Sequence, residues 1–104
     1  MQHVVIDMFT VPEEAKPSFF ETARVVQGFL KTLPGFVEGF VYEKTDGDSN
    51  FNVMTTAVWE SEQALENAKE ATIVELGRRN LRPQEIMKAL KIEMQRAVYL
   101  RSPY

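Results

Sequence analysis

Hydrophobic and polar residues follow two different periods along this chain, and each change of period marks an element. HVVIDMF, from His3 to Phe9, opens a strand expected over about Val4 to Val11, where Pro12 stops it. Val4, Ile6 and Met8 fall on one side of that strand and Val5 and Phe9 on the other, with Asp7 set among the second group. A helix follows, with Pro17 in its first turn and Phe19, Ala23, Val26, Leu30 and Leu33 at steps of three and four; Pro34 and Gly35 end it. Phe36 to Thr45 alternates as a second strand, placing Phe36, Phe40 and Tyr42 together against Val37, Gly39 and Val41.

Thr45 to Asn50 reads as a hairpin loop around Asp46-Gly47, leading into a third strand from Phe51 to Trp59. Ser61 stands where a helix N-cap belongs. The helix after it turns Ala64, Leu65, Ala68, Thr72 and Leu76 inward and Glu62, Glu66 and Glu70 outward, stopping near Gly77. Pro83 starts a short third helix with Ile86, Met87 and Leu90, and a last strand runs from about Glu93 to Leu100. The order β-α-β-β-α-α-β predicts an α+β fold, a ferredoxin-like split β-α-β sheet with helices on one face, in one domain spanning residues 1–104. Both faces of the strands are apolar, and helices on one side leave the other bare, so a homodimer with sheets packed face to face is expected.

Composition narrows the chemistry. The chain has 104 residues, a formal net charge of -3 and no cysteine. The charge gives no electrostatic footprint for nucleic acid or anionic lipid, and the absence of cysteine removes disulfides, thiolate metal sites and cysteine nucleophiles. MQHVVIDMF lacks the basic and apolar regions of a secretory leader, and no apolar run is long enough for a bilayer, so a cytoplasmic protein with no membrane partner is expected. No serine is paired with the sole histidine, His3, and no glycine-rich phosphate loop is present.

Two runs carry a resemblance. LPGFVEGFVYEK, Leu33 to Lys44, and AVWESEQAL, Ala57 to Leu65, resemble the antibiotic biosynthesis monooxygenase family of dimeric α+β barrels. Shared features are a Pro-Gly-Phe or Glu-Gly-Phe turn into the second strand, a Trp closing the third, and a Ser with an acidic residue starting the next helix. The resemblance covers nearly the whole chain in element order. It implies a homodimer and points to cofactor-independent monooxygenases acting on aromatic polyketides or quinols, to heme-degrading enzymes, or to members without established activity. Related barrels also host isomerases and aldehyde-detoxifying enzymes. Heme-degrading members place an Asn in the middle of the first strand, a Trp on the second helix and a His ligand ten residues on. Here Asp7, Asn67 and Gly77 stand at those positions, so heme breakdown by that route is disfavoured.

Asp7 is the sharpest candidate. The resemblance implies that it points into a cavity between sheet and helices, where a carboxylate could take a phenolic proton and leave an electron-rich anion able to reduce O2. The competing reading places it at a wet edge, or neutralised by an arginine such as Arg24 or Arg96. Phe9 and Trp59 are candidate apolar walls for a flat substrate, though aromatics at such positions also pack cores. Asn67 offers an amide to a substrate carbonyl or faces solvent. Tyr42 and Tyr99 could orient a ligand. The ladder Glu62, Glu66, Glu70 and the cluster Arg78, Arg79, Arg82 read as a solvated face and as complements to a helix dipole. The leading expectation is a small monooxygenase or quinol oxidase using O2 on a planar aromatic or quinol-like molecule, with neither metal nor cofactor. The alternative is a non-catalytic dimeric module that binds a small ligand or serves a structural role.

Overall fold

The computed structural model describes residues 1–104. Its elements are β1 (His3–Thr10), a 3-10 turn (Glu13–Ala15), α1 (Lys16–Leu30), β2 (Phe36–Glu43), β3 (Val53–Trp59), α2 (Glu62–Arg78), α3 (Pro83–Ala89) and β4 (Glu93–Leu100). The four strands form one antiparallel sheet in the order β2-β3-β1-β4, with β1 central and paired to both β3 and β4. This is the expected ferredoxin-like arrangement. The molecule measures 39 × 37 × 17 Å, and the short dimension holds one sheet and one helix layer, no more. No helix is long and apolar enough to cross a membrane.

Alternation along β1 sends Val5, Asp7 and Phe9 to the helix side, where all three are buried. Two apolar clusters fill the interface between the layers. Val5, Ala57 and Trp59 meet Ala64, Leu65 and Ala68 of α2 at one end. Phe9 and Val53 meet Val11, Ala15, Phe19 and Ile92 at the other. The opposite sheet face carries Val4, Ile6 and Met8 of β1, Phe40 and Tyr42 of β2 and Tyr99 of β4, and no element covers it; Phe40 and Tyr99 are 51% and 52% exposed.

Several boundaries differ from the sequence expectations, each for a local reason. Phe36 does not share a face with Phe40 and Tyr42. A bulge between Phe36 and Glu38 adds a residue to β2, and Phe36 turns to the helix side to meet Trp59 edge-on, ring centroids 5.4 Å apart. The third strand starts at Val53; just before it the Asn52 backbone still bonds to Phe9 and Lys44, and its side chain grips the Val11 backbone, accepting from its N–H and donating to its carbonyl, both at 2.8 Å. Ser61 caps α2 as expected, accepting from the Ala64 N–H at 3.1 Å. That helix ends at Arg78, next to Gly77 as expected. Asn80 takes the left-handed position at φ 58°, and the N–H of Leu81 reaches the Leu76 carbonyl at 2.8 Å. α3 ends the same way, with Lys91 left-handed and Ile92 bonding back to Met87 at 2.8 Å. The last turn of α2 is further held by Glu75, which accepts from Arg78 and Arg79; those hydrogen bonds pull its carboxyl down to about 2.

Gly35 closes the turn from α1 into β2. Its φ is +82°, and a Cβ there would lie 2.5 Å from the Ala64 Cβ, so neither the backbone nor the space admits a side chain. Its carbonyl accepts from the Glu60 N–H at 2.9 Å, tying the start of β2 to the end of β3. Gly35→Ala is therefore expected to destabilise the protein by about 2–4 kcal/mol, from the left-handed backbone and the overpacked contact together. Urea unfolding at fixed protein concentration checks this; a loss below about 0.5 kcal/mol, the range of ordinary surface substitutions, would contradict it.

Candidate functional site

The two apolar clusters do not merge, because the row between them is polar. On β1 that row holds Asp7, between Val5 and Phe9; on β3 its partner is Thr55, between Ala57 and Val53; on β4 its partner is Arg96. Asp7 is the one buried charged residue, 8% exposed. A carboxylate in such a place must be paired, since an isolated charge in an apolar interior is strongly unfavourable. Arg96 supplies the partner through two parallel bonds, Nε to Oδ1 at 2.6 Å and Nη2 to Oδ2 at 2.9 Å. The fork of the guanidinium matches the carboxylate, and both bonds are charge-assisted. The hydrogen bond from Arg96 to Asp7 raises the guanidinium's pKa further above its already high value, with their charge attraction adding to it against partial desolvation.

The pair is asymmetric. Asp7 is enclosed, whereas the Arg96 side chain is 52% exposed, because β4 is an edge strand with no buried residue. Two of the five guanidinium N–H groups bind Asp7 and three are left. Each carboxylate oxygen likewise keeps acceptor capacity after taking one bond. The row thus offers a positive hydrogen-bonding edge toward solvent and a carboxylate just behind it. Met94 and Val98 flank Arg96 on the same side of β4, both partly exposed.

The other residues singled out in the sequence do not gather here. Phe9 is near Asp7 along β1 but packs edge-on against Phe19 at 4.8 Å, inside the cluster under α1. Trp59 lies at the opposite end of the sheet, aligned with His3, and is 1% exposed beneath α2. It stands four positions along β3 from Thr55, roughly 13 Å of strand. Asn67 is exposed on α2, accepting from Gln63 at 2.9 Å and lining an open groove with Phe29 and Val74. Tyr42 and Tyr99 stand on the uncovered face, away from Asp7. Arg24, the other arginine considered for Asp7, pairs with Glu21 on its own helix. Arg78 and Arg79 are engaged by Glu75, and Arg82 lies 3.6 Å from Glu85. No group of three histidine, acidic or cysteine side chains is arranged to hold a metal ion.

One contact went unnoticed in the sequence. Gln27 of α1 donates to the Thr56 carbonyl at 3.3 Å, while its own Oε1 is buried without a partner. Gly39 makes room for it: a Cβ there would sit 2.6 Å from that oxygen and 2.9 Å from the Thr56 carbonyl oxygen. A glutamine on the inward side of a helix facing a strand glycine is the signal that could have found it.

Comparison with known proteins agrees with this architecture. Residues 1–75 match the family model described as antibiotic biosynthesis monooxygenase. No curated protein matches in sequence. Among solved structures, SnoaB from Streptomyces nogalater, a cofactor-independent oxygenase, is 17% identical and superposes with a TM-score of 0.72, covering 99% of this chain and 95% of that one. Rv0793 from Mycobacterium tuberculosis is 13% identical with a TM-score of 0.76, over 100% and 98% of the two chains. The heme-degrading protein Rv3592 from the same organism is 22% identical with a TM-score of 0.59, over 66% and 78%. At these identities the likeness is one of fold.

The asymmetry of the ion pair predicts an asymmetric response to mutation. Arg96→Gln strands the Asp7 carboxylate and is expected to cost roughly 2–4 kcal/mol, somewhat below a fully buried pair because Arg96 is half exposed. Asp7→Asn with Arg96→Gln removes both charges and should recover at least half of that loss. Urea unfolding of the full double-mutant cycle checks it; additive losses from the two single substitutions would contradict it.

Proposed function

The chain belongs to the antibiotic biosynthesis monooxygenase family, and on that footing we propose that it is a small cofactor-independent monooxygenase or quinol oxidase. It acts as a homodimer with O2 on a planar aromatic or quinol-like molecule. The observation that carries this reading is the buried Asp7 in the polar row, with a half-exposed cation beside it. Asp7 takes a phenolic proton on a lone pair not used by Arg96. The resulting anion gives one electron to O2; the substrate radical and superoxide then combine at carbon, and the peroxide so formed takes a proton. Loss of water from that hydroperoxide, at a carbon bearing hydrogen, leaves one oxygen atom in the product as a carbonyl. The protein contributes deprotonation and orientation, and the substrate supplies the reducing electrons. Phe9 and Trp59 serve as core packing, Phe9 in the cluster next to the row and Trp59 at the far end of the sheet, and Asn67 would reach a ligand only from the outer side of α2.

The homodimer reading is supported by the bare sheet face. Phe40, Tyr42 and Tyr99 there are large, exposed and continuous with Val4, Ile6 and Met8, the kind of apolar surface a second copy covers. The likeness to SnoaB, a cofactor-independent oxygenase, supports the reaction class by analogy of fold. A second reading, a non-catalytic dimeric module binding a small ligand, is favoured by one specific fact: both oxygens of Asp7 already accept from Arg96.

Asp7→Asn separates the two readings. With 1,4-dihydroxynaphthalene as substrate in an oxygen electrode, the protein should accelerate uptake over the uncatalysed background. Asp7→Asn should abolish that acceleration while sedimentation still shows a dimer. A variant as active as the parent would remove Asp7 from the mechanism. Ligand binding without turnover by the parent protein would leave the binding module as the account.

A further inference from the structure

We infer that Arg96 is a ligand-binding residue, recognising the oxyanion of a planar apolar acid such as a phenolate, enolate or aromatic carboxylate, and that Asp7 holds it in position. The inference deepens the oxygenase reading and rests on it for the identity of the reacting group. Stability alone does not account for the pair. A buried carboxylate bridged to an arginine is often no more stable than apolar side chains of similar volume. The surroundings would accept such side chains, since Val5, Phe9, Ala57 and Val53 stand immediately above and below the row.

What the pair creates is an oriented cation. Asp7 fixes the guanidinium by two bonds from the enclosed side, so its remaining N–H groups are presented from the exposed side in a rigid plane. Less side-chain freedom is then lost when an anion binds. No other carboxylate lies within 4 Å of Arg96, and β1 and β4 carry no second acid on the helix side. Met94 and Val98 put exposed apolar side chains on either side of the charge, where a flat ring whose acidic oxygen faces the guanidinium would find apolar contact. The occupant that fits is therefore both apolar and anionic. When the ligand arrives as a neutral phenol, its proton passes to Asp7, and Arg96 exchanges a carboxylate partner for the new oxyanion. Net charge in the row is unchanged by that step.

The test compares two probes on the intact protein by isothermal titration: 2-hydroxy-1,4-naphthoquinone, an anion at neutral pH, and 1,4-naphthoquinone, its neutral counterpart. The chain has no cysteine to trap either quinone. The parent protein should bind the anion about tenfold more tightly, one charge-assisted hydrogen bond's worth of preference, and added salt should weaken that preference. Arg96→Gln should bring the two probes to within about twofold of each other, and Arg96→Lys should keep part of the difference. Because Arg96→Gln leaves a buried carboxylate alone, the paired variant Asp7→Asn with Arg96→Gln serves as the folded control and should show the same loss. A parent protein without preference for the anion overturns the inference, as does a preference that survives in the paired variant. Arg96-dependent preference without oxygen uptake would leave the inference standing and remove the oxygenase reading; oxygen uptake without that preference would do the reverse.

Discussion

The bidentate bond between Asp7 and Arg96 is the constraint around which the rest of the molecule is arranged. Asp7 sits in the centre of the central strand, on the side that faces the helices. At that depth its charge tolerates no arrangement of neighbours that fails to answer it. The answer comes from the edge strand that lies directly alongside, and it holds only in one register, because a slip of one residue would send Arg96 to the other face. The last strand of the chain is thereby fixed to the first by side chains as well as by the ladder. The polar row also explains why the apolar interface is split: cluster one ends at Val5 and Ala57, and cluster two begins at Phe9 and Val53.

Around this row the fold is thin. One sheet and one helix layer leave a face of the sheet uncovered by the chain's own elements, and the glycines at positions 35 and 39 bring the layers close where a side chain would hold them apart. Compactness on the helix side and bareness on the other are two parts of one design. The core is concentrated under α1 and α2, while β4 lies beyond their cover, which leaves Arg96 half in water. On the proposed function, the chemistry and the fold meet at that edge. A fully covered β4 would give an inert buried ion pair, and a fully exposed β1 would give a surface pair worth little.

Much of this was legible in the sequence. Period-two and period-3.6 patterns located every strand and helix, and the order of elements specified the sheet. Local chemistry moved the boundaries. A bulge carried Phe36 to the face of Trp59, and Asn80 takes the left-handed position after α2, a conformation asparagine tolerates better than most residues. The site was harder to read. Arg96 was visible as a possible partner for Asp7, but so was Arg24; only strand register, a long-range property, places Arg96 opposite Asp7, 89 residues away. Trp59 and Phe9 share a sheet face, yet their positions along it put them in different clusters. Asn67 occupies an outer position on α2, which depends on the rotation of the helix about its axis.

The central claim is that the exposed edge of the Asp7–Arg96 pair is where a ligand binds. A crystal structure of the protein with 2-hydroxy-1,4-naphthoquinone tests it most directly. The account predicts an oxyanion about 2.7–2.9 Å from a free guanidinium N–H donor of Arg96, with the ring lying over Met94 or Val98. A ring seated instead in the groove of Phe29 and Val74, or on the bare face at Phe40 and Tyr99, with the ion pair untouched, would contradict it.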